Sequence, residues 1–156
     1  MSSADKNLSE FSSPLPDGSA YKIGIVCAEW NEKITSALYN GAISLLQSSG
    51  VLTDHISTRY VPGTFELPLA AQQFAKDPEI DGVICIGCVI QGETKHFDFI
   101  CQAAANGIME VGLNYNKPVI LGVLTTNSMQ QALDRAGGKN GNKGEEAAFS
   151  LLKMLG

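Results

Sequence analysis

Apolar residues recur along this chain in two alternating rhythms. Apolar runs at Ile23–Cys27, Val83–Ile90 and Val119–Leu124 read as strands, and Val83–Ile90, almost continuously apolar, as one buried on both faces of a parallel sheet. His55–Val61 alternates instead, as a half-exposed strand does, and Pro62-Gly63 stops it. Between these runs, apolar residues fall three and four apart. Ile34, Leu38, Gly41, Ala42 and Leu45 make one face of a first helix, with Asn31 as N-cap and Gly50 as C-cap. Tyr39, Ile43 and Leu46 add a second apolar flank, which predicts burial against another subunit. A second helix spans about Phe65 to Lys76. A third begins near Thr94 or Lys95 and carries the stripe Phe97, Ile100, Cys101, Ala104, Ile108 and Val111. A fourth, with Met129, Ala132, Leu133 and Ala136, ends near Arg135 before a glycine-rich loop, Gly137–Gly144. A last helix carries Ala148, Leu151, Leu152 and Leu155.

The resulting order, β-α-β-α-β-α-β-α-α, predicts a four-stranded parallel sheet with right-handed crossovers and helices on both faces, a three-layer αβα fold. A chain of 156 residues, 44% hydrophobic, has enough apolar surface for one core and too little for two, so residues 21–156 read as one domain. Residues 1–20, rich in Ser and Asp with Pro14, Pro16 and Gly18, read as an arm on which Leu8 and Phe11 are available for packing. With only four strands the sheet edges need covering, and the arm is a candidate for a strand added to a neighbour's edge.

Charge and cysteine content narrow the partners. A net charge of −5 disfavours nucleic acid and anionic membrane surfaces and leaves a small molecule as the expected ligand. There is no apolar run of membrane-spanning length, and Met1–Ser13 lacks the basic start and apolar middle of a signal peptide, so a cytoplasmic location is expected. Cys85 and Cys88 match a CxxC spacing, but residues three apart on a strand point to opposite faces and cannot share a metal or a disulfide. All four cysteines, Cys27, Cys85, Cys88 and Cys101, are therefore expected to be buried thiols. His55 and His96 have no carboxylates at zinc-site spacing, and no metal is expected.

Gly87–Cys101 concentrates the candidate chemistry: a buried strand, the interruption Gly92-Glu93-Thr94, and a helix start carrying His96. In an open α/β sheet, ligands bind outside the carboxyl ends of strands, where a helix N-terminus offers unpaired N–H groups to an anion. Trp30, the sole tryptophan, follows strand one at that same edge, where it serves either as an ordinary core residue or as a flat surface for stacking on a heterocycle. Glu66 starts the second helix, where it serves either as a cap or as an acceptor for a polyol. Arg135, Lys139 and Lys143 form a basic group after the fourth strand, which reads either as a solvated turn or as charges serving a neighbouring subunit's site. P-loop, dinucleotide-binding and hydrolase-elbow signatures are missing.

Taken in order, Trp30-Asn31, Pro62-Gly63-Thr64-Phe65-Glu66-Leu67-Pro68, Gly87–Asp98, Gly122–Thr126, and Arg135-Ala136-Gly137 with Gly141–Gly144 resemble the 6,7-dimethyl-8-ribityllumazine synthase family. The resemblance covers about residues 21–156. It implies a flavodoxin-like domain, arranged as a homopentamer, that condenses 5-amino-6-ribitylaminopyrimidinedione with 3,4-dihydroxy-2-butanone 4-phosphate and releases phosphate and water. That is the penultimate step of riboflavin synthesis, and it uses no cofactor. By the same resemblance, His96 moves protons; Gly92, Glu93 and Thr94 bind phosphate, with Arg135 from an adjacent subunit. Trp30 stacks on the pyrimidine, Val89, Ile90 and Gln91 read its edge, and Asn31, Thr64, Phe65 and Glu66 hold the ring substituents and ribityl chain. Lys143 and Glu146 help line the site, and riboflavin is an expected ligand of the same pocket.

Three positions depart from the family pattern. Trp30 stands where many members have phenylalanine, Gln91 where many have arginine, and Leu121 where many have a phenylalanine reaching in from the neighbour. A wider indole and a smaller Leu121 suit a larger ring. The competing reading is a flavodoxin-like module that holds a flavin or nucleotide without catalysis; it has no need of His96 together with Arg135.

Overall fold

The computed structural model describes residues 7, 9–11 and 13–156. Four parallel strands form the main sheet: β1 (Ile23–Ala28), β2 (Ile56–Val61), β3 (Gly82–Ile90) and β4 (Val119–Thr126), in the order β2-β1-β3-β4. The helices are α1 (Glu32–Ser48), α2 (Leu67–Ala75), α3 (His96–Tyr115), α4 (Met129–Asp134) and α5 (Lys143–Leu155). The three-layer arrangement is as expected. Ile23, Ile25 and Cys27 of β1, with Ile84, Ile86 and Cys88 of β3, face α1 and α5. Val26 and Ala28, with Val83 and Cys85, face α2 and α3. Alternate side chains of the two central strands thus serve two cores, which explains their continuous apolar runs.

The same alternation separates Cys85 from Cys88, which lie in opposite cores. All four cysteines are free thiols, but Cys101 is only half-buried rather than enclosed as expected. It belongs to the first turns of α3, where Phe97, Ile100 and Cys101 stand partly clear of the core, while Ala104, Ile108 and Val111 carry the buried stripe.

The second apolar flank of α1 is largely occupied within the chain. Leu46 is fully buried, Tyr39 and Ile43 pack against the same core, and the Tyr39 hydroxyl lies 3.0 Å from Thr58 Oγ1. A helix lying between a sheet and a second helix needs two apolar faces. Another correction concerns Gly137–Gly144, expected as a loop. It folds into an antiparallel hairpin, β5 (Ala136–Gly138) and β6 (Gly141–Asn142), with α5 starting at Lys143. Gly137 and Gly141 take φ of 100° and 84°, a region glycine enters without steric cost, and this lets so short a ribbon reverse.

Asn142 then rivets α5 to α1. Its Oδ1 accepts from Gly144 N at 2.8 Å and from Glu145 N at 3.4 Å, capping α5, while its Nδ2 donates to Ala37 O at 3.0 Å. The arm packs on its own chain here: Ser9 Oγ accepts from Asn142 N at 2.7 Å, and Phe11 stacks on Phe149 with ring centres 4.1 Å apart. Leu8 lies outside the described residues. No strand forms among the described residues of the arm.

At Gly144 the helices touch so closely that a Cβ would run into the Leu38 carbonyl oxygen. Gly144→Ala is therefore expected to cost about 1–3 kcal/mol by overpacking against backbone, which cannot yield as a flexible side chain would. Thermal unfolding checks this, with a fall in Tm of roughly 2–4 °C for each kcal/mol.

Candidate active site

At the carboxyl edge of the sheet, β1 and β3 part, and a cleft of about 680 Å³ opens between their ends. Trp30 and Asn31 form one side, following β1. Gly63, Thr64, Phe65 and Glu66, following β2, form the floor. Cys88, Val89 and Ile90 of β3 and His96 and Ile100 of α3 complete it. Eight of the residues expected from the sequence meet in this one place: Trp30, Asn31, Thr64, Phe65, Glu66, Val89, Ile90 and His96. Cys88 and Ile100 line it too and were read only as core. The period-2 and helical patterns that mark them as apolar do not reveal which apolar residues border a cavity.

Local structure accounts for the positions. Thr64 is buried, and its hydroxyl packs so closely on β3 that a Cβ at Gly87 would lie 2.8 Å from Thr64 Oγ1. That contact brings the 3-10 turn Thr64–Glu66 against the strand. Phe65 and Glu66 are then left exposed at the entrance of α2. Glu66 occupies the N-cap position of α2 but makes no side-chain capping bond, so its carboxylate is free to accept from a ligand. A Cβ at Gly63 would lie 3.2 Å from Glu66 Oε2 and 3.8 Å from Trp30 Cδ1, which puts carboxylate and indole beside one small opening. Trp30 is 73% exposed, an aromatic plate with little packing of its own. Burial pushes the Cys88 thiol up to about 11, so at neutral pH it stays protonated and acts as wall.

The turn Gln91–Lys95 leads from β3 into α3 and is exposed throughout. Gln91 N donates to Thr126 O at 2.8 Å, and Gln91 Nε2 donates to Gly92 O at 3.0 Å, which turns this side chain back on its own loop. His96 N donates to Thr94 Oγ1 at 3.4 Å. The N–H groups of Gly92, Glu93, Thr94 and Lys95 have no acceptor among the described residues. Such unpaired donors ahead of a long helix suit an anion.

Four expected residues lie apart from the cleft. Leu121, 40% exposed on the edge strand β4, borders a separate depression with Cys101, Gln102, Val123 and Thr125. Arg135, Lys143 and Glu146 form a half-buried cluster between the hairpin and α5. Arg135 Nη1 donates to Asn140 O at 2.6 Å, and Nη2 donates to Glu146 Oε2 at 3.0 Å. Lys143 Nζ lies 3.5 Å from the same carboxylate, while Lys139 turns away to Asp134 at 3.4 Å.

Fold and cleft together define a flavodoxin-like α/β protein with an open cleft at the carboxyl edge of a parallel sheet. Its sequence matches the family described as 6,7-dimethyl-8-ribityllumazine synthase over residues 20–156, and the chain belongs to that family. Among its relatives, the 6,7-dimethyl-8-ribityllumazine synthase of Cytophaga hutchinsonii is 60% identical, over 99% of this chain and 98% of the relative. Proteins of the same name from Porphyromonas gingivalis and Parabacteroides distasonis are 50% and 48% identical, over 100% and 99% of this chain and 98% of each relative.

Among the described residues, Glu146 is the carboxylate within 4 Å of both Arg135 and Lys143, and removing either kind of partner has unequal consequences. Glu146→Ala leaves Arg135 and Lys143 facing each other without a counter-charge, whereas Arg135→Ala leaves Glu146 still paired with Lys143. Urea denaturation is expected to show a loss of about 1–3 kcal/mol for Glu146→Ala and a smaller loss for Arg135→Ala.

Proposed function

We propose that this chain condenses 5-amino-6-ribitylaminopyrimidinedione with 3,4-dihydroxy-2-butanone 4-phosphate in the cleft between Trp30 and His96. The observation that carries this reading is the grouping of an aromatic plate, a histidine and free N–H donors at one sheet edge. The family is of the transferase type and performs the penultimate step of riboflavin biosynthesis.

In that reaction an amine attacks a ketone, phosphate leaves, and ring closure loses water. The site must therefore hold a flat heterocycle, move protons and receive an anion. Trp30 stacks on the pyrimidine, backbone at Val89, Ile90 and Gln91 reads its edge, and Asn31, Thr64, Phe65 and Glu66 hold the ring substituents and ribityl hydroxyls. His96 transfers protons. Phosphate sits on the turn Gly92-Glu93-Thr94. A related ribityl heterocycle, riboflavin, fits the same plate and hydroxyl acceptors.

Charge supports a shared site. Among the residues lining the cleft, Glu66 is the one carboxylate and neither Lys nor Arg is present. A leaving phosphate gains most from a guanidinium, which pairs with it bidentately. Arg135, with Lys143 and Glu146 beside it, is the guanidinium we assign, supplied by the next subunit of a ring. Exposed Phe99, Met109, Leu113, Leu121 and Met154 provide an apolar surface for that contact, and they bring Leu121 toward a neighbour's cleft. Repeating one such head-to-tail contact around an axis closes a ring, here a pentamer. A binder without chemistry has no use for His96 and Arg135 together.

Mixing the two substrates with the protein is expected to yield a fluorescent lumazine and free phosphate in equal amounts. His96→Ala is expected to lower kcat, by about 10²–10⁴-fold where proton transfer limits and less where the condensation proceeds spontaneously. A kcat unchanged across pH removes His96 from the mechanism.

Rings refolded from equal amounts of His96→Ala and Arg135→Ala chains test the sharing. If the two residues come from different subunits, about a quarter of sites are intact; if they come from one chain, none are. With parents each well below that level and mixed rings confirmed by mass, activity no higher than the parents' average rejects a shared site.

A further inference from the structure

The pairing of β1 with β3 ends at Cys27–Ile86. Past that point the chain follows β2 instead: Glu29 N donates to Val61 O at 2.8 Å and Trp30 N to Pro62 O at 3.1 Å. The segment that carries the indole is thus drawn away from β3, and the widening gap is the cleft. One side chain crosses back. Asn31 Nδ2 donates to Cys88 O at 2.8 Å, on the residue just before Val89 and Ile90.

Two features of Asn31 are out of place for a helix start. Its backbone is left-handed, with φ 61° and ψ 43°, where N-caps usually adopt extended angles. Among the described residues, the other non-glycine with positive φ is Asn116, at the C-terminus of α3, where such a conformation commonly ends a helix. Further, the Asn31 side chain makes no capping bond to α1. The helix forgoes its cap, and the amide is spent on the strand across the cleft. Asparagine suits both demands, since it tolerates the left-handed region and its amide donates.

We propose that Asn31 is a positioning residue for the condensation: its amide ties the indole wall to the β3 wall and sets the width of the slot between them. The amide oxygen is left for the substrate. This rests on the reading that the cleft holds the pyrimidine. Trp30, 73% exposed and with no hydrogen bond from its indole among the described residues, has little packing of its own to hold it in place across the cleft from Val89 and Ile90.

Because Trp30 is the single tryptophan, its motion can be read directly in ligand-free protein by time-resolved fluorescence anisotropy. Asn31→Gly keeps the left-handed backbone and loses the tie. Asn31→Asp keeps the size, replaces the donor with a carboxylate facing a carbonyl, and carries the test should the glycine variant lose its fold, as judged by circular dichroism. Both are expected to enlarge the fast local component of the Trp30 decay. Both are expected to raise KM for the pyrimidine by about 2- to 12-fold, the loss of one hydrogen bond, with kcat nearly unchanged. Unchanged local motion overturns the proposal even if KM rises, because the rise then reports direct contact with substrate. Greater motion with an unchanged KM overturns it too, since the tie then has no bearing on binding. Trp30→Leu separates the underlying reading: a pyrimidine KM unaffected by that change removes the indole from the site, while the anisotropy still decides whether Asn31 holds it.

Discussion

Two-sided burial of β1 and β3 is the constraint on which this molecule depends. Each strand supplies side chains to both cores, so no polar group has room along them. Polar chemistry is confined to the strand ends, where the cores stop and the chain turns into helices. The residues lining the cleft, from Trp30 to His96, are carried by the carboxyl ends of β1, β2 and β3 and by the segments that follow them. Their spacing follows from how far the strands separate, and β1 separates from β3 because its tail keeps bonding to β2.

The opposite end of the functional inventory is organised by charge. Arg135 and Lys143 share the Glu146 carboxylate, and their place is secured by a short hairpin and by Asn142, which joins α5 to α1. A guanidinium already directed by a carboxylate loses less freedom on meeting a phosphate than one at the end of a mobile side chain. The cluster stands apart from the cleft of its own chain, which is what the proposed sharing between subunits answers.

Size differences at three positions bear on which rings fit. An indole at Trp30 offers a larger stacking face than a phenyl ring, and Leu121 occupies less depth than a phenylalanine. Gln91 is uncharged, and its amide donates to Gly92 O in its own loop. In the proposed site these residues favour contact area over electrostatic reading of a ring.

Strands, helices and their order were legible because apolar period records which faces are buried, and both cores use long uninterrupted patterns. Chain order also located Trp30 and His96 at one edge, since both follow strands whose direction is set by parallel topology, and the family resemblance added Glu66. Local pattern was silent where a residue's role depends on partners distant in sequence. The second flank of α1 looked like an interface until Leu46 and Tyr39 met their partners within the chain. The glycine-rich segment became a hairpin through pairing of Ala136 with Asn142 and the left-handed angles at Gly137 and Gly141. Asn31 read correctly as a cap position, yet its side chain bonds a strand 57 residues away. What the sequence by itself determined was the layered fold and the edge at which chemistry gathers, because periodicity and chain direction are local properties. Which side chains line the cleft, which tie its walls together and which stand apart was decided only by tertiary structure, because hydrogen bonds and close packing join residues that periodicity cannot relate.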